Sequence, residues 1–152
     1  MTIQVRQAGA ADVDLVCELN RLLALESEGK TLEPALLRSG VTAALADEGK
    51  GVYFLAEEAG LILGQMGVTY EWSDWRNGWF WWIQSVYVRA EARRRGIFSL
   101  IFEYLAAAAR ADPAVIGLRL YVERDNSAAH ATYRKMGLEW TTYQVMEQYP
   151  LR

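Results

Sequence analysis

Four arginines, Arg89, Arg93, Arg94 and Arg95, fall within one eight-residue stretch that ends on Gly96, in a chain whose net charge is −3. The stretch joins an apolar, strand-like run to an apolar, helix-like run that begins near Ile97. A basic, glycine-ended turn feeding a helix N-terminus is a site for an anion, most often a phosphate. The unpaired N–H groups of the first helical turn point at the ligand, and the helix dipole favours negative charge there. The segment is neither Gly-x-x-x-x-Gly-Lys-Ser/Thr nor Gly-x-Gly-x-x-Gly, so it is not one of the familiar nucleotide loops. On its own it also fits a solvated basic loop.

A second set of polar groups opens a helix about thirty residues later. Asn126 and Tyr133 stand seven residues apart, which is two helical turns or about 10 Å along one face. That face therefore carries an amide near its start and a phenol near its end. Taken alone, Asn126 is equally a helix cap, and Tyr133 a packing partner of Ala129 and Met136. His130, the single histidine, lies on the same helix but on a different face, and packing is its expected role.

The elements that must position these groups follow from periodicity. A short strand is expected over 3–6. From Asp12, Leu15, Leu19, Leu22 and Leu23 recur on one helical stripe, broken over 26–30. A second helix starts near Leu32, with Pro34 in its first turn, and ends over 47–50. Strands over 51–57 and 61–72 form a hairpin across the turn 58–60. Asn77-Gly78 marks another tight turn. The strand over 79–88 is apolar or aromatic on both faces, so it should be internal to the sheet.

A helix over 97–111 stops before Pro113 and is followed by a strand over 118–122. A short helix over 127–136 is ended by Gly137, and a closing strand region is expected over 138–149. The crossover from the 79–88 strand through the 97–111 helix makes a parallel βαβ unit. The expected fold is α/β: a mixed, mostly antiparallel sheet with one parallel crossover and helices on both faces.

At 152 residues the length fits a single domain over 1–152. No apolar run approaches the roughly 20 residues of a membrane span, so no membrane partner is expected. The N-terminal residues lack the apolar stretch of a signal peptide. Cys17 is the one cysteine; no internal disulfide is possible, and a reducing, cytoplasmic site of action is expected. The acidic balance, with pI near 5.2, argues against a nucleic-acid surface. No metal is expected.

Arg93-x-x-Gly96 after a strand, and Asn126-x-x-Ala129-x-x-x-Tyr133-x-Lys135-x-Gly137-Leu138 downstream, together resemble the GNAT superfamily of N-acetyltransferases. The motif blocks cover about 82–138, and the element order extends the resemblance over the chain. It implies that acetyl-CoA is the cosubstrate. Its pyrophosphate would lie on the turn 93–99, with Arg94, Arg95, Gly96, Phe98 and Ser99 donating and Arg93 at the motif's Gln/Arg position. Val86 and Val88 would hold the pantetheine arm and the thioester carbonyl by backbone hydrogen bonds. Asn126 would meet the pantetheine region, and Tyr133 would protonate the leaving thiolate. One position departs from the family pattern: Phe98 stands where Gly or Ala is usual, and its ring must turn away from the phosphates.

The implied reaction is acetyl transfer to a primary amine of a small molecule or peptide, by direct attack in a ternary complex. Family members often carry a glutamate on the central strand, but the corresponding positions here are Trp82 and Gln84. Glu71 and Asp74 are therefore the candidate bases, and both also fit exposed turn carboxylates. Five of the six tryptophans lie within 71–82. Strand alternation puts Trp79 and Trp81 on one face, Phe80 and Trp82 on the other. Trp72, Trp75 and Gln84 are the expected acceptor-site residues, with a nearby carboxylate drawing in a cationic amine. A non-catalytic acyl-CoA-binding module and a nucleotide-binding protein are the alternatives. A homodimer paired across an exposed aromatic strand is a further expectation.

Overall fold

A computed structural model describes residues 2–152. The chain divides into two compact units, Met1–Tyr121 and Val122–Arg152. The first holds strand β1 (Gln4–Gln7), helices α1 (Val13–Glu28) and α2 (Pro34–Ala46), strands β2 (Val52–Glu58), β3 (Leu61–Ser73) and β4 (Gly78–Val88), helix α3 (Ile97–Ala111) and strand β5 (Val115–Leu120). The five strands form one sheet in the order β1-β2-β3-β4-β5. Neighbours are antiparallel except for β4 and β5, which are parallel.

Local chemistry sets the element ends. Gly29, at φ 63°, closes α1, where its N–H and that of Lys30 reach the carbonyls of Leu25 and Ala24. Glu33 caps α2: its carboxylate accepts from Ala35 and Leu36 at 3.1 and 2.7 Å, and Pro34 occupies the first turn. The β2–β3 hairpin turns through Ala59 and Gly60, both at positive φ (52° and 81°), the twist a two-residue hairpin prefers.

The sheet is covered on both faces. On one, Leu55 and Tyr87 cluster with Val16, Leu19 and Val41, so α1 and α2 pack there; Cys17 lies against this cluster as filler. On the other, the Phe54 ring meets Tyr104 of α3 edge-on at 5.6 Å. Ile97, Ile101, Phe102, Leu105, Ala106 and Ala109 are the buried stripe of α3. No helix among the described residues is long and apolar enough to cross a membrane.

Two expectations change. The last strand of the sheet starts at Val115 instead of 118, because Gly117 lets the Phe80 ring lie across it. A Cβ at Gly117 would stand 2.6 Å from that ring. The closing strand over 138–149 is not formed. The second unit contains α4 (Ser127–Lys135) and then irregular chain, with Trp140, Tyr143, Val145, Met146 and Tyr149 exposed. A strand exists only with a ladder partner for its N–H and C=O groups, and this segment runs as irregular chain.

Candidate active site

The basic turn has a backbone form suited to an anion. Arg94 and Gly96 are both left-handed, at φ 66° and 75°, and successive N–H groups in such a turn converge on a concavity. The first intrahelical bond of α3 runs from Leu100 N–H to Gly96 O at 3.0 Å. Gly96 is thus the N-cap of α3, whose first turn presents its N–H end at this point of the chain, and Gly96 brings no side-chain cap. Ile97 is buried and anchors the turn. Phe98 stacks on Phe102, ring centroids 6.1 Å apart, so its side chain runs along the helix.

Most of the arginine charge is spent inside the protein. Arg89 pairs with Glu18 at 3.1 Å, Arg93 with Glu26 at 2.7 Å and Arg95 with Glu58 at 2.7 Å. Arg93 Nε also donates to the Val88 carbonyl at 3.0 Å, and its guanidinium stands 5.6 Å from the centre of the Tyr87 ring. The Tyr87 hydroxyl donates to Glu26 at 2.5 Å. Tyr87 and then Arg93 hold the Glu26 carboxyl below the usual range, while burial and Glu26 push the Tyr87 phenol up. Arg94 is exposed, and among the described residues its guanidinium has no ion-pair partner.

Beside this turn, β4 leaves its parallel neighbour. Pairing with β5 ends at Ile83↔Leu120, whereas pairing with β3 continues to Gly64↔Val88. From Gln84 to Val88, a stretch that includes Val86, the strand thus has one edge without a sheet partner among the described residues. A β-bulge lies there: Gln65 opposes Tyr87 and Gly67 opposes Gln84, so Ser85 and Val86 together face Met66. Ser85 adopts φ 53°.

The aromatic hairpin separates into two faces. Trp72 meets Trp79 at 5.0 Å, and Tyr70 meets Trp79 and Trp81 at 6.4 and 6.0 Å. The opposite face carries Phe80, Trp82 and Gln84. There Gln84 donates to Thr69, Trp82 packs on Tyr121 at 4.5 Å, and Arg119 lies 3.7 Å over the Phe80 ring. Glu71 belongs to this second face and accepts from Arg119 at 2.8 Å. Asp74 accepts from the Trp75 N–H in the hairpin turn, and Trp75 is exposed.

Glu71 and Gln84 are therefore brought to one face, and Trp72 to the other. Thr69, Arg119 and Tyr121 were not expected at this face. The polar Gln84 at the end of an aromatic alternation was the one sequence signal pointing to it.

In the second unit, Asn126 caps α4: its Oδ1 accepts from Ala129 N–H at 3.1 Å, leaving the amide donors outside the cap. The helix closes on Gly137, at φ 94°, with Leu138 N–H on Tyr133 O and Gly137 N–H on Arg134 O, both at 3.0 Å. Tyr133 is partly buried, and burial pushes its phenol up. His130 Nε2 bonds the Glu123 carbonyl at 2.8 Å, and the ring packs edge-on against Trp140, a structural placement. Among the described residues no group of three or more His, Cys, Asp or Glu could hold a metal ion.

Comparison with known proteins bears on this geometry. Residues 18–138 match the model of the acetyltransferase (GNAT) family. A possible acetyltransferase from Clostridium difficile 630 is 42% identical, with a TM-score of 0.94 over 100% of both chains. A predicted acetyltransferase from Clostridium acetobutylicum, crystallised with acetyl-CoA, shares 18% identity and the fold, at TM-score 0.80 over 97% of this chain and 96% of that one. An aminoglycoside acetyltransferase from an uncultured soil metagenomic sample shares 19% identity and the fold, at TM-score 0.74 over 97% and 99%. No curated protein matches the chain. With most of its length under the family model, the chain belongs to the GNAT acetyltransferase family.

Proposed function

We propose that this protein transfers the acetyl group of acetyl-CoA to a primary amine of a small molecule or peptide, by direct attack in a ternary complex. The observation that carries the reading is the open end of α3. The N-terminal turn of α3 follows the left-handed Arg94 and Gly96, beside a strand edge that has lost its neighbour. A diphosphate and a β-like pantetheine arm are the two chemistries that fit these surfaces.

Acetyl-CoA, when bound, supplies a thioester whose carbonyl carbon an amine attacks. The N–H groups from Arg94 to Ser99 hold its diphosphate. The free edge of β4 at Val86 and Val88 aligns the arm and offers an N–H to the carbonyl oxygen as charge develops. Asn126, through its amide donors, contributes to holding the arm. Tyr133 donates its proton to the departing thiolate; burial favours the protonated phenol, the form an acid needs.

The acceptor lies on the aromatic hairpin. The Phe80–Trp82–Gln84 face supplies its wall, and Trp72 and Trp75 shape the approach from the hairpin. Glu71, which accepts from Arg119, and Asp74, in the hairpin turn, draw in the cationic amine and are the candidates to take its proton. Water carries that proton away where neither acts. Free CoA released from acetyl-CoA, measured across a panel of small amines and peptides, tests the reading. Release with at least one acceptor supports it; acetyl-CoA binding without release from any acceptor replaces it with a non-catalytic acyl-CoA module.

A further inference from the structure

Gln65 of β3 is fully buried, and its side chain is not spent on the sheet. Its amide nitrogen donates to Asn20 Oδ1 of α1 at 2.8 Å and to the Ser85 carbonyl of β4 at 3.0 Å. Asn20, itself buried, donates in turn to the Tyr53 hydroxyl at 3.4 Å. Both protons of the Gln65 amide are thus engaged, while its Oε1 is buried with no partner among the described residues. An orphaned buried acceptor is costly, and an apolar residue of this size would avoid the cost. The amide is kept where only its two donors have partners.

One of those partners is the bulge. Ser85 sits at φ 53° and shares its place opposite Met66 with Val86, so it stands outside the regular exchange of ladder bonds. A non-glycine residue seldom adopts that conformation unless its surroundings impose it. The Gln65 amide donates to the Ser85 carbonyl from inside the sheet and ties it, through Asn20, to α1. The bulge lies on the stretch of β4 that has no partner on its β5 side.

We propose that Gln65 is a positioning residue. By clamping the Ser85 carbonyl it fixes the bulge, and with it the direction of the backbone groups that the free edge of β4 presents to the acyl donor. The proposal rests on the acetyl-transfer reading for its functional half, while the clamp itself is independent of that reading. The diphosphate cradle belongs to another element, so the clamp acts on orientation much more than on affinity.

Two variants test it: Gln65→Met, which keeps length and apolar bulk but removes the donors, and Asn20→Ala, which frees the amide from α1 and remains informative if the first fails to fold. Hydrogen exchange should accelerate over 84–88 in both, and stay unchanged over 97–105 in α3. In acetyl transfer, kcat should fall about 10- to 100-fold for Gln65→Met, and less for Asn20→Ala. KM for acetyl-CoA should be nearly unchanged in both. Unchanged exchange over 84–88, or faster exchange with an unchanged kcat, overturns the proposal. Faster exchange in a protein whose wild type transfers no acetyl group keeps the clamp and overturns the acetyl-transfer reading instead.

Discussion

Arg93 reaches three partners at once: the Glu26 carboxylate, the Val88 carbonyl and the face of the Tyr87 ring. Its charge welds the turn to α1 and to the end of β4 and is not held in reserve for a ligand. Arg94 is the residue whose charge stays near solvent. Arg94→Ala should weaken acetyl-CoA binding by about 1 kcal/mol or less, as befits an exposed charge, and high salt should abolish the difference from wild type; titration calorimetry at two ionic strengths checks both. Tyr133→Phe should lower kcat by about a hundredfold, the scale of general-acid catalysis, with acetyl-CoA affinity preserved. An unchanged kcat would reduce Tyr133 to packing. The run of arginines was plain in the sequence, but its meaning was not. The glutamates that neutralise it lie 37 to 71 residues away along the chain, and only the sheet brings them near. The Glu71–Arg119 pair escaped the sequence for the same reason.

Among the secondary-structure elements, local signals are legible in the sequence and non-local ones are not. Gly96 and Pro113 bracket α3, and the helix occupies the expected range. The alternation of Trp79, Phe80, Trp81 and Trp82 gave the two faces of β4 correctly. The alternation then fails, because Ser85 inserts an extra residue and puts Tyr87 on the face of Gln84; no single residue type announces a bulge. The 138–149 segment misleads in a similar way, since strand-like residues form no strand without an edge to pair with. Gly96 itself yields a prediction. A Cβ there meets nothing within 4 Å, so Gly96→Ala suffers no clash, only the left-handed φ, at about 1 kcal/mol. The melting temperature should fall by roughly 2–4 °C, and KM for acetyl-CoA should rise as the cradle relaxes. A variant with a lower melting temperature but an unchanged KM would separate the turn's stability from any role in binding.

Across the first unit as a whole, the parallel β4–α3–β5 crossover and the helices on both faces were legible because they follow from element order and chain chirality. What fastens the far edge of the sheet was not. Asp12, in the 3-10 turn before α1, accepts from both terminal nitrogens of Arg6 on β1 at 2.9 Å and from Gly9 N–H at 2.8 Å. Arg6 also pairs with Glu57 of β2 at 3.4 Å. One guanidinium thus joins the edge strand, its neighbour and the entry to the first helix. The Arg6 hydrogen bonds hold the Asp12 carboxyl below its usual range, against a smaller opposing effect of burial. A carboxylate with a depressed folded pKa stabilises the fold above its unfolded pKa, near 4, and loses that contribution as pH falls through the folded value. Asp12→Asn should therefore cost about 1 kcal/mol at neutral pH, given a half-exposed partner. Urea unfolding of both proteins across the acid range should show the gap closing as pH drops below the ordinary carboxylate range. A gap that stayed constant down to the most acid pH would mean that Asp12 acts as a neutral cap for Gly9, with no contribution from its charge on Arg6.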